Sequence, residues 1–283
     1  MGKVAIVTDS TGYLPKEYIE NYQIRVAPQV LIWGEETFED GVDIQPAEFY
    51  TRLKSAKVMP STSQVTPKSF LEVFSSLLAE DYEILAILIS EKLSGTIASA
   101  IHAKEMFPGA AIEIVDSYTT SMAMSFQVIK AAEAATKGAS LADCKALAEQ
   151  ARQHVGVCFA VDTLEFLHRG GRIGGGSRFL GTALNIKPIL EVVGGKVEAI
   201  ERVRTRRKSL SRLVELVEER IGGRKPVRLA TLHANAPEDA QILLEEARNK
   251  IESIQHIFSE VSPVIGTHAG PGTVGLAFMA GFD

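Results

Sequence analysis

Two hydrophobic periods alternate along the first half of the chain. Short apolar runs are typical of buried strands, whereas apolar residues that recur every three or four positions are typical of amphipathic helices. The short runs, with one weakly alternating stretch, predict strands at residues 3–7, 24–32, 84–90 and 111–115. The longer periodic segments predict helices at residues 14–22, 46–57, 67–79, 97–107, 120–137 and 141–154. Strands that alternate with helices favour a mostly parallel sheet flanked by helices.

Polar turns follow three of these predicted strands. The turns contain Asp9-Ser10, Ser94-Gly95 and Asp116-Ser117, and a further polar stretch, Pro60–Gln64, is predicted as a loop. In a parallel sheet the carboxyl ends of the strands share an edge, and ligands bind outside that edge. We therefore expect the three turns to lie near one another.

The pattern changes near residue 157. Two β-rich runs, 189–193 and 197–203, flank Gly194-Gly195, which is a β-hairpin signature. The other predicted elements are, in order, a strand at 158–161, a helical turn at 163–169, a helix at 209–221, a strand at 227–232, a helix at 237–251, a strand at 254–260 and a closing segment at 264–279. We predict an α/β protein: an N-terminal domain, residues 1–157, carries the mostly parallel sheet, and a C-terminal α+β domain, residues 158–283, packs against it.

Composition narrows the class of protein. The chain has 283 residues, of which 46% are hydrophobic and 23% charged, as in a globular protein with a sizeable core. Its formal net charge of -5 gives no general attraction to nucleic acid or to an anionic membrane. No apolar run approaches the ~20 residues that span a bilayer, and the two cysteines lack metal-ligand spacing. We expect a cytoplasmic protein with no metal, no cofactor and no stable membrane insertion.

The junction around Ser94 is the first candidate for chemistry. A buried strand ends there and a helix begins, so unpaired N–H groups and the positive end of the helix dipole attract anions. Ser94 and Thr96 add hydroxyl donors, and Gly95 permits close approach of a ligand to the backbone. From spacing alone a simple helix cap is the favoured role of Ser94, because serine is a preferred residue at that position.

A glycine-rich stretch, Gly170–Ser177, is surrounded by Arg169, Arg172 and Arg178. Consecutive glycines allow backbone N–H groups to converge on an anion, so the stretch is a candidate phosphate cradle. It is equally typical of a flexible turn that lets the second domain wrap the first.

Two further features remain open at this stage. Basic residues crowd the stretch Arg202–Arg212, but no aromatic residue is interleaved with them and the chain is acidic overall. A solvated face or a docking surface for an acidic partner is the better interpretation. His268 lies among glycines, where it fits either a ligand contact or a hydrogen-bonded structural histidine.

Dispersed motifs occur in a fixed order along essentially the whole chain. They are TDSTGYLP at Thr8–Pro15, PSTSQ at Pro60–Gln64, LSGT at Leu93–Thr96, VDS at Val115–Ser117, TLEFLHRGGRIG at Thr163–Gly174, KPIL at Lys187–Leu190 and IGTHAGPGTVG at Ile265–Gly275. Each motif is weak alone, but the ordered set resembles the DegV family. This is a group of fatty-acid-binding proteins whose members serve as the binding subunit of bacterial fatty acid kinase.

The resemblance implies that one long-chain fatty acid, such as palmitate, is buried between two domains. The family holds its carboxylate with the threonine of PSTSQ and the serine of LSGT, which are Thr62 and Ser94 here. The terminal histidine of the family, matching His268, completes the set. The backbone of Gly95 and Thr96 is a further donor by the helix-terminus argument.

The acyl tail needs an apolar lining. Candidates at the sheet edge and in the terminal segment are Val264, Ile265, Leu276 and Phe278, although core residues have the same composition.

The resemblance also implies a partner, the catalytic subunit of fatty acid kinase, which transfers a phosphoryl group from ATP to the carboxylate and gives an acyl phosphate. This chain has neither a Walker A loop nor a GxGxxG after a strand, as expected of a binding subunit without catalysis of its own. Arg169, Arg172 and Arg202 are candidates for docking the kinase or for steadying phosphate.

Two alternatives belong to other classes. A serine-dependent acyl hydrolase would use Ser94 as nucleophile, His268 as base and an acid such as Asp116, but the GxSxG elbow is missing. A regulatory nucleic-acid binder would use Arg202–Arg212. The carrier hypothesis is favoured over both.

Overall fold

The computed structural model describes residues 2–174 and 186–283. Its strands are β1 (Lys3–Asp9), β2 (Arg25–Ala27), β3 (Val30–Trp33), β4 (Glu36–Glu39), β5 (Ser61–Ser63), β6 (Tyr82–Leu88), β7 (Ile112–Asp116), β8 (Val155–Ala160), β9 (Lys187–Val193), β10 (Lys196–Val203), β11 (Val227–His233), β12 (Gln255–Glu260) and β13 (Val274–Ala280). Its helices are α1 (Lys16–Tyr22), α2 (Pro46–Lys54), α3 (Pro67–Ala79), α4 (Thr96–Glu105), α5 (Ser121–Thr136), α6 (Leu141–Ala151), α7 (Glu165–Arg169), α8 (Arg206–Ile221), α9 (Pro237–Lys250) and α10 (Pro263–Ala269).

The first sheet is parallel and has the strand order β2-β1-β6-β7. Its central strands are apolar on both faces because helices cover both: α3 and α4 pack on one side, and α5 and α6 on the other. The carboxyl ends of β1, β6 and β7 share an edge, as the polar turns predicted. This confirms the mostly parallel N-terminal sheet flanked by helices.

The second sheet has the order β10-β9-β8-β13-β11-β12 and is antiparallel except for the pair β11–β12. Helices α8 and α9 cover its outer face. The predicted hairpin is confirmed: Gly194 and Gly195, at φ 54° and 83°, connect β9 to β10. The helices and strands form the α+β half that the sequence predicted.

A third, small sheet, β4-β3-β5, was not predicted. The single strand expected at 24–32 is wrong, because Pro28 interrupts it: β2 pairs with β1, while β3 pairs with β4 and β5. The stretch Pro60–Gln64, predicted as a loop, contains β5, in which Thr62 lies opposite Leu31. Its serines and threonine have no hydrophobic alternation, so the sequence gives no strand signal there.

One hydrophobic core joins the first two sheets. Helix α5 lies between them and contacts β1, β6, β8 and β13, and its residues from Ser121 to Ile129 are all buried. The second sheet begins with β8, so the boundary predicted between residues 157 and 158 falls inside that strand. Among the described helices, none has the length and hydropathy that a membrane span requires.

Candidate ligand-binding site

An apolar cavity opens where the carboxyl edge of the first sheet meets the inner face of the second sheet and α10. It encloses about 890 Å³, counting the open space at its mouth. Apolar side chains from β8, β9, β11 and α10 form much of its wall; they include Val157, Phe159, Val192, Leu232, Val264 and Ile265.

Thr62 and His268 meet in the cavity wall. Thr62 lies in β5 and His268 in the last turn of α10, and Thr62 Oγ1 is 2.7 Å from His268 Nε2. Pairing of β5 with β3 fixes Thr62, while the Ser262 side chain caps α10 by accepting a hydrogen bond from the N–H of Ile265. Two residues that are 206 positions apart in the sequence thus form one hydrogen-bonded pair in the cavity wall.

The His268 imidazole is neutral at pH 7. Burial and, to a smaller extent, the positive charge of Arg172 lower its pKa from 6.5 to about 4. Its Nδ1 is buried and has no hydrogen-bond partner within the part of the chain that the structure describes. Gly170 lies against that nitrogen so closely that a Cβ at this position would collide with the ring. A neutral imidazole suits hydrogen bonding to an oxygen rather than ion pairing.

Ser94 also lines the cavity and belongs to a hydrogen-bond chain. Ser94 Oγ is 2.9 Å from Thr96 Oγ1, which accepts a hydrogen bond of 2.9 Å from Gln29 Nε2. The simple cap interpretation of Ser94 is wrong, since Gly95 is the N-cap of α4 and no side chain of the described residues caps this helix. The N-terminus of α4 therefore keeps N–H donors behind Ser94.

The predicted carboxylate-binding residues divide into two groups. Thr62, Ser94 and His268 line the cavity together. Thr96 is fully buried behind Ser94. Gly95 packs against Gln64, since a Cβ added at Gly95 would lie only 3.2 Å from Gln64 Cδ. The side chain of Thr96 therefore positions Ser94 instead of facing the cavity.

Two buried carboxyl groups lie behind this site, and sequence analysis assigned neither a role. Asp40 Oδ2 accepts a hydrogen bond of 2.6 Å from Ser10 Oγ, and Asp40 Oδ1 accepts one from the N–H of Val264 in α10. Burial raises the pKa of Asp40 to about 7 and also raises that of Asp9. Asp40 follows a weak strand without any motif, so only the tertiary structure reveals it.

The three predicted docking arginines occupy different environments. Arg172 reaches the cavity and donates to the carbonyl oxygens of Leu93 and Gly170, at 3.2 and 2.7 Å. Arg169 forms an exposed ion pair with Glu165 in α7, and Arg202 is exposed in β10. The structure therefore brings only Arg172 to the candidate site. Of the glycine-rich stretch Gly170–Ser177, the last three residues, with Arg178, lie outside the described residues.

Of the four residues predicted to line an acyl tail, two line this cavity. Val264 and Ile265 line the cavity, as expected. Leu276 and Phe278 do not: they alternate with Gly275 and Ala277 along β13 and pack under α8 and α9 on the outer face. Successive side chains of a strand point to opposite faces of the sheet, and the composition of β13 does not show which set faces the cavity.

The geometry does not assemble the hydrolase triad. His268 Nε2 contacts Thr62, and Ser94 Oγ contacts Thr96, so nucleophile and base are bonded to other residues. Asp116, the proposed acid, accepts hydrogen bonds from two backbone N–H groups instead. Nor do three His, Cys, Asp or Glu side chains cluster as a metal site requires anywhere in residues 2–174 and 186–283.

Fold and site together define an α/β protein of two large sheets and one small sheet, with a cavity whose wall is mainly apolar and carries hydrogen-bonding side chains. The chain belongs to the DegV family: the family model described as "Uncharacterised protein, DegV family" matches residues 3–281.

Relatives match over nearly their whole length. A DegV domain-containing protein of Streptomyces coelicolor is 35% identical over 275 residues, 96% of this chain and 97% of the relative. Bacillus subtilis DegV is 34% identical over 277 residues, which are 97% of this chain and 98% of the relative. The crystal structure of Bacillus subtilis DegV, a fatty acid binding protein, has a TM-score of 0.89 and matches over 99% of this chain and 100% of that chain. The structure of a Thermus thermophilus DegV family protein, whose subject is fatty acid binding, has a TM-score of 0.92 and 34% sequence identity to this chain. The match covers 98% of this chain and 99% of that chain.

Proposed function

We propose that this protein binds one long-chain fatty acid, with its carboxylate at Thr62, Ser94 and His268 and its tail in the apolar cavity. One observation carries the proposal: neutral donors from β5, the turn before α4 and α10 converge on a cavity whose wall is mainly apolar. The fatty acid binding of the Thermus and Bacillus relatives supports it.

The two ends of such a ligand need opposite environments. Each buried CH₂ contributes about 0.8 kcal/mol, so a long tail supplies most of the affinity. An unpaired buried carboxylate would offset much of that gain, and hydroxyl, imidazole and N–H donors prevent this loss. The N–H groups of Gly95 and Thr96, at the uncapped start of α4, are further donors to the carboxylate.

Native mass spectrometry of the purified protein, followed by extraction and identification of the lipid, tests this proposal. We expect a mass increment of one fatty acid that is lost on denaturation. The double variant Thr62→Ala/Ser94→Ala should retain less than about one tenth of the lipid that the wild type retains, because two hydrogen bonds to a charged group are lost. Ser61→Ala is the matched control, since Ser61 lies in the same strand but outside the cavity wall. A protein that is empty and does not take up added palmitate or oleate contradicts the proposal.

The bound carboxylate is further proposed to be the substrate of a separate kinase subunit, which converts it to an acyl phosphate. The hydroxyl and imidazole donors carry no charge, and Arg172, which reaches the same cavity, would steady the incoming phosphoryl group. Arg169 and Arg202 are exposed and would dock the partner.

The kinase step is tested with lipid-loaded protein, a fatty acid kinase catalytic subunit and ATP, trapping acyl phosphate as the hydroxamate. We expect product with the wild type and at least about tenfold less with Arg169→Gln/Arg202→Gln, while the lipid content stays constant. Arg25→Gln, an exposed arginine in β2, is the control. Equal product from the docking variant and the wild type rejects this docking surface, and no product from any form rejects presentation to the kinase.

A further inference from the structure

A second polar group lies in the cavity wall, at the N-terminus of α5. Thr120 and Ser121 line the cavity and are only 8% and 7% exposed. The Thr120 hydroxyl is buried without a hydrogen-bond partner, and the Ser121 hydroxyl makes no hydrogen bond to any described residue. These hydroxyls come from a different element than the proposed carboxylate site, which uses β5, α4 and α10.

The first turn of α5 adds donors beside these hydroxyls. Thr120 is the N-cap of this 16-residue helix, yet its side chain does not bond to the first turn. In α3 and α8 the N-cap side chains, Thr66 and Thr205, do accept such hydrogen bonds. The N–H groups of the first turn of α5 therefore lack a side-chain acceptor, and the positive end of the helix dipole favours an electron-rich oxygen in front of them.

A buried hydroxyl without a partner destabilises a protein unless a ligand or water completes its hydrogen bond. An unsubstituted fatty acid offers no oxygen for this purpose, because its single carboxylate is assigned to Thr62, Ser94 and His268. We infer that the hydroxyls of Thr120 and Ser121, at the positive end of α5, bind an oxygen substituent on the acyl chain, so that the protein prefers hydroxy or oxo fatty acids. This inference rests on the proposed function and names the substrate class within it.

Competition between stearic acid and each member of a positional series of hydroxystearic acids tests the inference. Equimolar pairs are offered to lipid-free protein, and native mass spectrometry measures the ratio of the two bound species. The wild type should prefer at least one positional isomer by roughly fivefold, the factor that one net hydrogen bond supplies. Preference for a particular position is expected because α5 is fixed in the core.

The double variant Thr120→Val/Ser121→Ala removes both hydroxyls and should bring that ratio close to one. Thr119→Val is the matched control: the Thr119 hydroxyl is equally buried and has no partner among the described residues, but Thr119 is outside the cavity wall that these residues form, so the wild-type ratio should persist. If the double variant fails to fold, Thr120→Val alone serves as the test, because valine has nearly the shape of threonine.

The outcomes separate this inference from the proposed function. Binding of stearic acid without preference for any isomer overturns the inference alone, and water is then the partner of these hydroxyls. A preference that survives the double variant also overturns it. If the double variant loses stearic acid while Thr62→Ala/Ser94→Ala keeps it, the carboxylate lies at α5, and both the inference and the proposed carboxylate site are wrong.

Discussion

At residue 170 the structure accommodates only glycine. A Cβ there would lie 2.8 Å from His268 Cε1 and closer still to Nδ1, so even alanine must displace the imidazole. Displacement breaks the contact of His268 with Thr62 and removes one donor from the proposed carboxylate site. We predict that Gly170→Ala lowers retention of the fatty acid by at least about fivefold, the effect of one hydrogen bond, as measured by native mass spectrometry.

The matched control for this prediction is the neighbouring glycine. Gly171 has a φ of 68°, no atom of a described residue lies within 4 Å of an added Cβ, and asparagine tolerates that backbone conformation. Gly171→Asn should therefore keep the wild-type lipid content. Equal retention in Gly170→Ala and Gly171→Asn would show that the position of the His268 ring does not control binding.

The sequence identified single candidate residues of the site but not which of them come into contact. Thr62 and His268 are 206 residues apart, so no local spacing indicates that they meet. The helix-terminus argument found Ser94 but left the simple cap open, because both roles use a serine before a helix. Asp40 and Thr120 have no motif of their own in this interpretation, and their significance depends on burial and on hydrogen-bond partners that only the fold determines.

At the scale of elements, Asp40 joins the turn after β1 to the N-terminus of α10. Burial raises its pKa from 3.8 to about 7, so the native state keeps a proton that the unfolded chain releases between these pH values. Asp40 thus contributes stability that is present below pH 4 and is lost as the pH rises to 7. We predict that Asp40→Asn, which cannot ionise, gains at least roughly 1 kcal/mol relative to the wild type between pH 4.5 and 7.5.

Urea unfolding of lipid-free protein at both pH values measures this difference. The lowered pKa of His268 acts in the opposite direction, since protonation of the unfolded chain destabilises the fold below pH 6.5, but it is common to both proteins and cancels in the comparison. Asp81→Asn, at an exposed position with φ 60°, is the control and should show a constant difference. A constant difference for Asp40→Asn as well would mean that Asp40 is ionised in the native state.

Element prediction succeeded where the hydrophobic period was strong and failed where it was not. The helix predicted at 67–79 and the hairpin around Gly194-Gly195 are both present, with turn and cap residues that match their roles. The strand predicted at 24–32 failed because Pro28 divides it between two sheets, and β5 was missed because it lacks apolar residues. Short strands of the third sheet depend on tertiary pairing, and one of them carries Thr62.

At the scale of the whole molecule, the cavity lies within a core that both sheets share, so a ligand there stabilises both halves together. A ligand that binds only the native state adds about 2.7 kcal/mol at a hundred times its Kd, and this corresponds to a rise in Tm of roughly 4–5 °C for a chain of this size. We predict one cooperative calorimetric transition that moves upward by this amount when delipidated protein is reloaded with palmitate. Hexadecanol, which has the same tail without a carboxylate, should produce a smaller rise because the donors around Thr62 remain unpaired with a charged group. Two separate transitions would contradict the shared core. An equal rise in Tm for the acid and the alcohol would contradict the role of Thr62, Ser94 and His268 in binding the carboxylate.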